Sequence, residues 1–219
     1  MPLLAFHRLG QGAHPAPRLS PAEAARARRL SGRRRSQYLA GRWLLREICA
    51  LGRGGRPWEW SLNAEGPPRA SHPRQRSPWL SLSHSGDWVV AALANGPGVG
   101  VDLEAWGQPR DWTALKRLLD RWGVAPAGAA RSGLGREESF LRAWTGYEAC
   151  YKARAGAPRT KTGPAAGWTL ACGAWICQAV GPANEGLQWL NLGAGTALPG
   201  WRTPQGPWAA ALPKADQTG

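Results

Sequence analysis

The sequence predicts an α+β fold built from two similar halves. Two observations carry this. Apolar residues recur at helical spacing in two long runs, 33–50 and 137–155, and each run is followed by about three strand-like stretches. The chain has 219 residues, enough for one large domain or two small ones with a sizeable core. The expected division is 1–105 and 106–212, with 213–219 a disordered tail. No residue-level repeat is visible, so the pseudo-duplication rests on element order.

In chain order, Ser20-Pro21-Ala22-Glu23 reads as a capping box that starts a short helix running to about Leu30. The second helix, from about Arg33 to Ala50, should stop at Gly52. On it Arg35, Arg42 and Arg46 fall in one narrow stripe, either a solvated basic face or a phosphate-binding one. Trp58-Glu59-Trp60 is a candidate short strand, and Asn63 to Arg76 a loop. Leu80 and Leu82 alternate with serines, which predicts a strand ending at His84. Asp87 to Leu93 is a second strand, and Val99 to Glu104 a third. The turn chemistry of Asn95-Gly96-Pro97-Gly98 predicts that these two form a hairpin. Asp111 to Trp122 reads as a helix ending at Gly123, with Leu115, Leu118, Leu119 and Trp122 on its apolar side. Gly123 to Arg136 reads as a connecting segment. The helix over 137–155 puts Phe140, Trp144, Tyr147 and Tyr151 on one face, and Gly156 is its expected stop. Trp168 to Val180, Gln188 to Leu192 and Trp208 to Leu212 are expected strands.

The net charge is +14, rich in arginine, with Arg33, Arg34 and Arg35 consecutive. Such a balance implies an anionic partner, although a coding bias towards Arg, Ala, Gly and Pro would also produce it. Fourteen tryptophans stand against two phenylalanines and three tyrosines, a ratio with no functional account. No apolar run reaches bilayer length, and Met1 to Ala16 lacks the pattern of a signal peptide, so a cytoplasmic location is expected. Cysteines 49, 150, 172 and 177 show neither a CxxC pair nor histidines at zinc spacing, which suits free thiols.

Two acidic features carry chemistry. Asp102 and Glu104 are two residues apart on a strand and so share a face. Two carboxylates ~4 Å apart repel by roughly 4 kcal/mol at an effective dielectric of about 20, and a divalent cation relieves that. Solvated acids at a strand end are the alternative. Glu148 and Lys152 lie one helical turn apart, as either a surface pair or part of a site.

Together these stretches resemble the 4'-phosphopantetheinyl transferases of the larger, surfactin-synthetase-activating type. Leu82-Ser83-His84-Ser85-Gly86 resembles that family's SHS block. Gly100-Val101-Asp102-Leu103-Glu104 resembles its G-[IV]-D-x-E block. Trp144-Thr145-Gly146-Tyr147-Glu148-Ala149 with Lys152 and Gly156 resembles its W-[ST]-x-K-E-A-x-x-K-x-x-G block, and Tyr38 to Arg46 its first long helix. The resemblance covers roughly residues 33–156.

The resemblance implies two α+β halves in pseudo-two-fold arrangement, with the site in the cleft between them. It implies transfer of the phosphopantetheine arm of coenzyme A to a serine of an acyl or peptidyl carrier protein, with Mg2+, releasing adenosine 3',5'-bisphosphate. Asp102, Glu104 and Glu148 become metal ligands. Glu148 is also the candidate base, and Lys152 stabilises charge on the bridging oxygen. Ser83, His84, Arg42 and Arg69 are the expected contacts to coenzyme A. An acidic carrier is the expected partner, and a monomer the expected state. Two departures stand out: Tyr147 replaces the family lysine, and Gly66-Pro67-Pro68 puts Pro67 where the family carries a cation, which Arg69 would replace by reach. They leave an inactive homologue as one alternative. A basic nucleic-acid-binding protein and a Mg2+-dependent nuclease are the others. No helix-turn-helix, zinc-finger or RRM signature supports the nucleic-acid reading, and a nuclease leaves the SHS block unexplained.

Overall fold

The computed structural model describes residues 2–10, 18–96, 98–108, 110–121, 136–155, 165–172, 175–182 and 188–191. The order is β1 (Leu3–Arg8), α1 (Pro21–Arg28), α2 (Gly32–Arg53), β2 (Ser61–Leu62), β3 (Ala70–Ser71), β4 (Trp79–Ser85), β5 (Trp88–Ala94), β6 (Gly100–Ala105), α3 (Trp112–Arg121), α4 (Arg136–Ala155), β7 (Ala165–Cys172), β8 (Trp175–Pro182) and β9 (Gln188–Asn191). The fold is α+β, as the sequence predicts. Among the described residues no helix is long and apolar enough to cross a membrane. The expectations for Trp122, for the segment from Gly123 up to α4, for Gly156, for Trp208 to Leu212 and for the tail lie outside the described residues.

One sheet has the order β4-β5-β1-β9, and a second the order β6-β8-β7. β1 and β5 are read as almost unbroken apolar runs because both of their faces are covered. Leu3, Ala5, Val89, Ala91 and Leu93 pack with Leu44, Leu45 and Ile48 of α2. On the other face Leu4, Phe6, Val90 and Ala92 pack with Val101 and Leu103 of β6 and Trp175 of β8. The first sheet is therefore a filling between α2 and the second sheet.

The cap at α1 forms as its sequence predicts. Glu23 N–H donates to Ser20 Oγ, and Ser20 N–H to Glu23 Oε2. Glu23 does a second job: the guanidinium of Arg46 grips both its oxygens, at 3.1 and 2.7 Å, and both side chains are buried. Arg46 is thus a structural ion pair tying α2 to α1, which removes it from the predicted basic stripe. Burial pushes the Glu23 carboxyl up, but the hydrogen bonds and charge of Arg46 and the Ser20 amide outweigh this and hold it below its ordinary value. Its stabilisation is therefore present above the ordinary glutamate value and is lost as pH falls through the depressed one. Arg46→Ala leaves Glu23 buried without its cation and should destabilise the fold by about 3 kcal/mol, read by urea unfolding near neutral pH.

Three sequence expectations are corrected. Trp58-Glu59-Trp60 is not a strand: Pro57–Glu59 form a single 3-10 turn, with Pro57 fixing its first residue. The 63–76 segment is not wholly loop, since β3 pairs antiparallel with β2. Most consequentially, β6 does not form a hairpin with β5. It pairs antiparallel with β8, with Asp102 opposite Gln178 and Glu104 opposite Ile176. Gly98, at φ 93°, helps carry the chain from one sheet to the other.

Serine hydroxyls join the two sheets. Ser81, Ser83 and Ser85 of β4 accept the backbone N–H groups of Val101, Leu103 and Ala105 of β6, at 3.0, 3.3 and 3.0 Å. Both strands have period two, so every second hydroxyl of one meets every second amide of the other. The polar side of β4 is thereby the side turned to the second sheet.

α4 lies across β6 and β8. A side chain at Gly100 would run into the Ala149 carbonyl oxygen, so glycine is what lets the helix approach the strand. Leu141, Thr145 and Ala149 form its buried face, while Phe140, Trp144 and Tyr147 are half-buried and Tyr151 is 60% exposed. The core side of α4 is therefore the Leu141–Thr145 stripe, beside Glu148 and Lys152, and not the aromatic one.

Candidate active site

A cavity of about 1150 Å³ opens beside the serine seam, with Ser83 and His84 from β4, Asp102 and Glu104 from β6, and Glu148 and Lys152 from α4 on its wall. Ser83 and Lys152, 69 positions apart in sequence, meet here because β4 abuts β6 through hydroxyls and α4 packs on β6 over Gly100.

Asp102 is bonded from both neighbouring elements. Lys152 Nζ donates to its Oδ1 at 2.6 Å, and Ser83 Oγ donates to the same oxygen at 2.7 Å. Lys152 is also 3.3 Å from Ser83 Oγ. Lys152 is thus committed across the site rather than to Glu148 as a surface pair. Ser83 donates its single proton to Asp102 and accepts from Leu103 N–H and Lys152, so both lone pairs are used. Its hydroxyl serves the carboxylate and the ammonium, and Ser83 lines the cavity wall.

Asp102 Oδ2 is buried and makes no hydrogen bond. Burial pushes the Asp102 carboxyl above its ordinary value, with Lys152 and Ser83 opposing the shift. Glu148 is half-buried, and its carboxyl is also raised, first by desolvation and then by the negative charge of Asp102, against the pull of Lys152. Glu104 is held by Ser85 Oγ at 2.9 Å and Arg110 at 2.7 Å, both on Oε2.

The three acids give an all-oxygen donor set of the kind that suits a hard divalent cation. The unpartnered, buried Asp102 Oδ2 fits such a role, because a buried carboxylate oxygen without a donor is costly. As they stand, no three His, Cys, Asp or Glu side chains among the described residues are close enough to hold one ion. Lys152 and Arg110 engage two of the three acids.

The basic residues occupy different places. Arg42 lines the cavity but is only 6% exposed; it donates to the Asn63 carbonyl at 2.7 Å and stacks over Tyr38, while its Nε has no hydrogen-bond partner. Arg35 is exposed on the first turn of α2 and is not on the cavity wall. Arg69 lines the cavity from the loop that Asn63 ties together through Glu65, Pro67 and the Arg69 amide. His84 is exposed at the cavity wall, and desolvation, then the charges of Lys152 and Arg34, hold its imidazole below its ordinary value. Tyr147 is not among the lining residues.

Sequence reasoning missed Arg76 and Arg110. Arg76 lines the cavity just ahead of β4, in a stretch read only as loop. Arg110 stands behind Glu104, six residues on. The one usable signal for either was a lone arginine flanking a candidate site strand.

No protein-family model matches the chain. Two curated proteins are similar to it. A phosphopantetheinyl transferase of Thraustochytrium sp. is 31% identical over 132 residues, 54% of this chain and 46% of that protein. A holo-[acyl-carrier-protein] synthase of Streptococcus suis is 40% identical over 83 residues, 34% of this chain and 70% of that protein. The chain thus spans about half the length of the first and most of the second. The fold brings the three sequence blocks onto one cavity, and the second similarity runs through more than two thirds of a synthase. On these grounds the chain belongs to the phosphopantetheinyl transferase family.

Proposed function

We propose that this chain transfers the 4'-phosphopantetheine arm of coenzyme A to a serine of an acyl or peptidyl carrier protein, with Mg2+, in the manner of the surfactin-synthetase-activating type. The observation that carries the reading is the meeting of Asp102, Lys152 and Ser83, one from each sequence block, within 3.3 Å on one cavity wall. The two halves, 1–105 and 106–212, in pseudo-two-fold arrangement with the site between them, belong to the same reading, as do a monomeric state and a cytoplasmic location.

The carrier serine oxygen attacks the phosphorus that bears the pantetheine arm. A new P–O bond forms, the bond to the bridging pyrophosphate oxygen breaks, and adenosine 3',5'-bisphosphate leaves. Glu148 takes the serine proton, a role its raised carboxyl suits. Lys152 supplies positive charge where the bridging oxygen becomes anionic. Asp102 and Ser83 fix the ammonium in place. His84, Arg42, Arg69 and Arg76 are the cavity-wall groups for the remaining phosphates. Asp102, Glu104 and Glu148 are the residues to hold Mg2+, which when bound neutralises pyrophosphate charge. Positioning and electrostatics are what phosphoryl-type transfer chiefly needs.

Incubation with coenzyme A, Mg2+ and a panel of apo-carrier proteins tests this by intact mass. The expected result is a carrier heavier by one phosphopantetheine group; no modified carrier, with binding to single-stranded DNA instead, would favour the nucleic-acid reading.

The net charge of +14 adds a kinetic expectation. Arg28, Arg29, Arg33, Arg34 and Arg35 are exposed around the junction of α1 and α2, where solvent ions screen them. The KM for an acidic carrier should therefore rise steeply between about 20 and about 300 mM NaCl, because the Debye length is near 10 Å at about 0.1 M. The KM for coenzyme A, bound in the cavity, should rise less. Equal salt dependence would contradict docking by surface charge.

A further inference from the structure

We propose that Arg110, which nothing in the sequence motifs marks, is a positioning residue that clamps Glu104 to the cavity wall. The inference rests on the reading of Glu104 as a member of the metal-holding set. Arg110 does not line the cavity and so can act only through what it holds.

The clamp is built from several contacts. Arg110 Nη2 donates to Glu104 Oε2 and to the Ala105 carbonyl, both at 2.7 Å, and Nη1 donates to the Gln108 carbonyl at 3.2 Å. Its side chain is only 9% exposed. The guanidinium stands 5.7 Å from the ring centroid of Trp112, whose ring meets Phe140 of α4 edge-on at 5.2 Å. Gly107, at φ 68°, makes the turn that brings the chain back towards the end of β6. The guanidinium is therefore fixed by two carbonyls and a ring before it touches the carboxylate.

Its effect on Glu104 is specific. The charged bond from Arg110 and the hydroxyl bond from Ser85 converge on Oε2 and leave Oε1 outside the clamp. A donor from β4 and one from the segment between β6 and α3 thus hold the same carboxylate oxygen and limit the carboxylate's rotation. The clamp also balances charge. Lys152 pairs Asp102 and Arg110 pairs Glu104, while Glu148 has no ion pair among the described residues. Without Arg110, Glu104 would face Asp102 and Glu148 uncompensated and would turn away from them. Residues that orient ligands from behind commonly change metal affinity by about 10–100-fold.

The test uses the whole chain, with Mn2+ alone as probe, measured by electron paramagnetic resonance of the free ion. Arg110→Gln should weaken Mn2+ binding about tenfold, and Arg110→Lys should recover most of it. In a Glu104→Gln background, Arg110→Gln should change the affinity by less than about twofold, since the effect passes through Glu104. A merely structural arginine would lower the melting midpoint and leave Mn2+ affinity of the folded protein unchanged. Wild-type affinity in folded Arg110→Gln, or an equal loss with and without Glu104, overturns the proposal. If Arg110→Gln does not fold, Arg110→Met decides, with weakened Mn2+ affinity supporting the clamp and wild-type affinity overturning it. If the wild-type chain takes up no Mn2+, the metal part of the transferase reading fails. The clamp is then judged from melting midpoints of the four proteins in chelator: non-additive midpoints uphold it and additive ones overturn it.

Discussion

Asp102→Asn should lower carrier modification on the order of 10²–10³-fold while leaving the melting midpoint near pH 7 unchanged or higher. The two effects have one origin. Asp102 is 5% exposed, and burial holds its carboxyl above the ordinary value. Ionising it therefore costs the folded state. That cost accrues as pH rises from the ordinary aspartate value to the raised one and is constant above it. The amide removes the cost and keeps the shape. Lys152, 27% exposed, loses its nearest anion but can turn to solvent. What disappears is the anchor for the ammonium and the unpartnered Oδ2 offered to a metal. Steady-state kinetics beside a thermal melt check both parts. Full activity in the variant would remove Asp102 from the site, and a collapsed melt would assign it a structural role.

Glu148→Gln should cost about 10²–10⁴-fold in kcat, the usual contribution of a positioned base. Its pH dependence is more telling than its size. Desolvation and then the negative charge of Asp102 raise the Glu148 carboxyl, and Glu104 adds to the shift. The group must be ionised to accept a proton. Activity of the wild-type protein should therefore rise with pH through a value above the ordinary ~4.3 of glutamate. Glu104→Gln removes one of the raising charges, so the acidic limb should move to lower pH in that variant. A limb that stays in place would mean that another group takes the proton.

Much of the site was legible because its parts are local. The period-two pattern of Leu80 to Ser85 and the helical spacing of 137–155 placed β4 and α4 nearly to the residue. The i,i+2 rule put Asp102 and Glu104 on one face, and both reach the cavity. What was not legible was pairing. The turn after β5 reads as a hairpin, yet the partner of β6 is β8, some 70 residues later, a choice set by burial across sheets. Alternation in β4 predicted a strand. It could not reveal that the serines replace a backbone ladder between two sheets. Arginines of one type met different fates because a partner elsewhere decides: Glu23 buries Arg46, whereas Arg35 on the same stripe stays exposed. The Tyr147 substitution pointed at the cavity by motif position, but helical geometry turns that position away from its wall.

If Ser83–His84, Asp102–Glu104 and Glu148–Lys152 form a single site for coenzyme A, its binding should be felt on all three elements at once. Amide hydrogen exchange of the chain with and without coenzyme A and Mg2+ measures this directly, because ligand binding slows exchange where the backbone is tied to the bound groups. Added protection is expected in β4, β6 and the last two turns of α4 together, and its loss from all three in Asp102→Asn. Protection confined to the arginine-rich start of α2, with β6 and α4 unchanged, would contradict a single site.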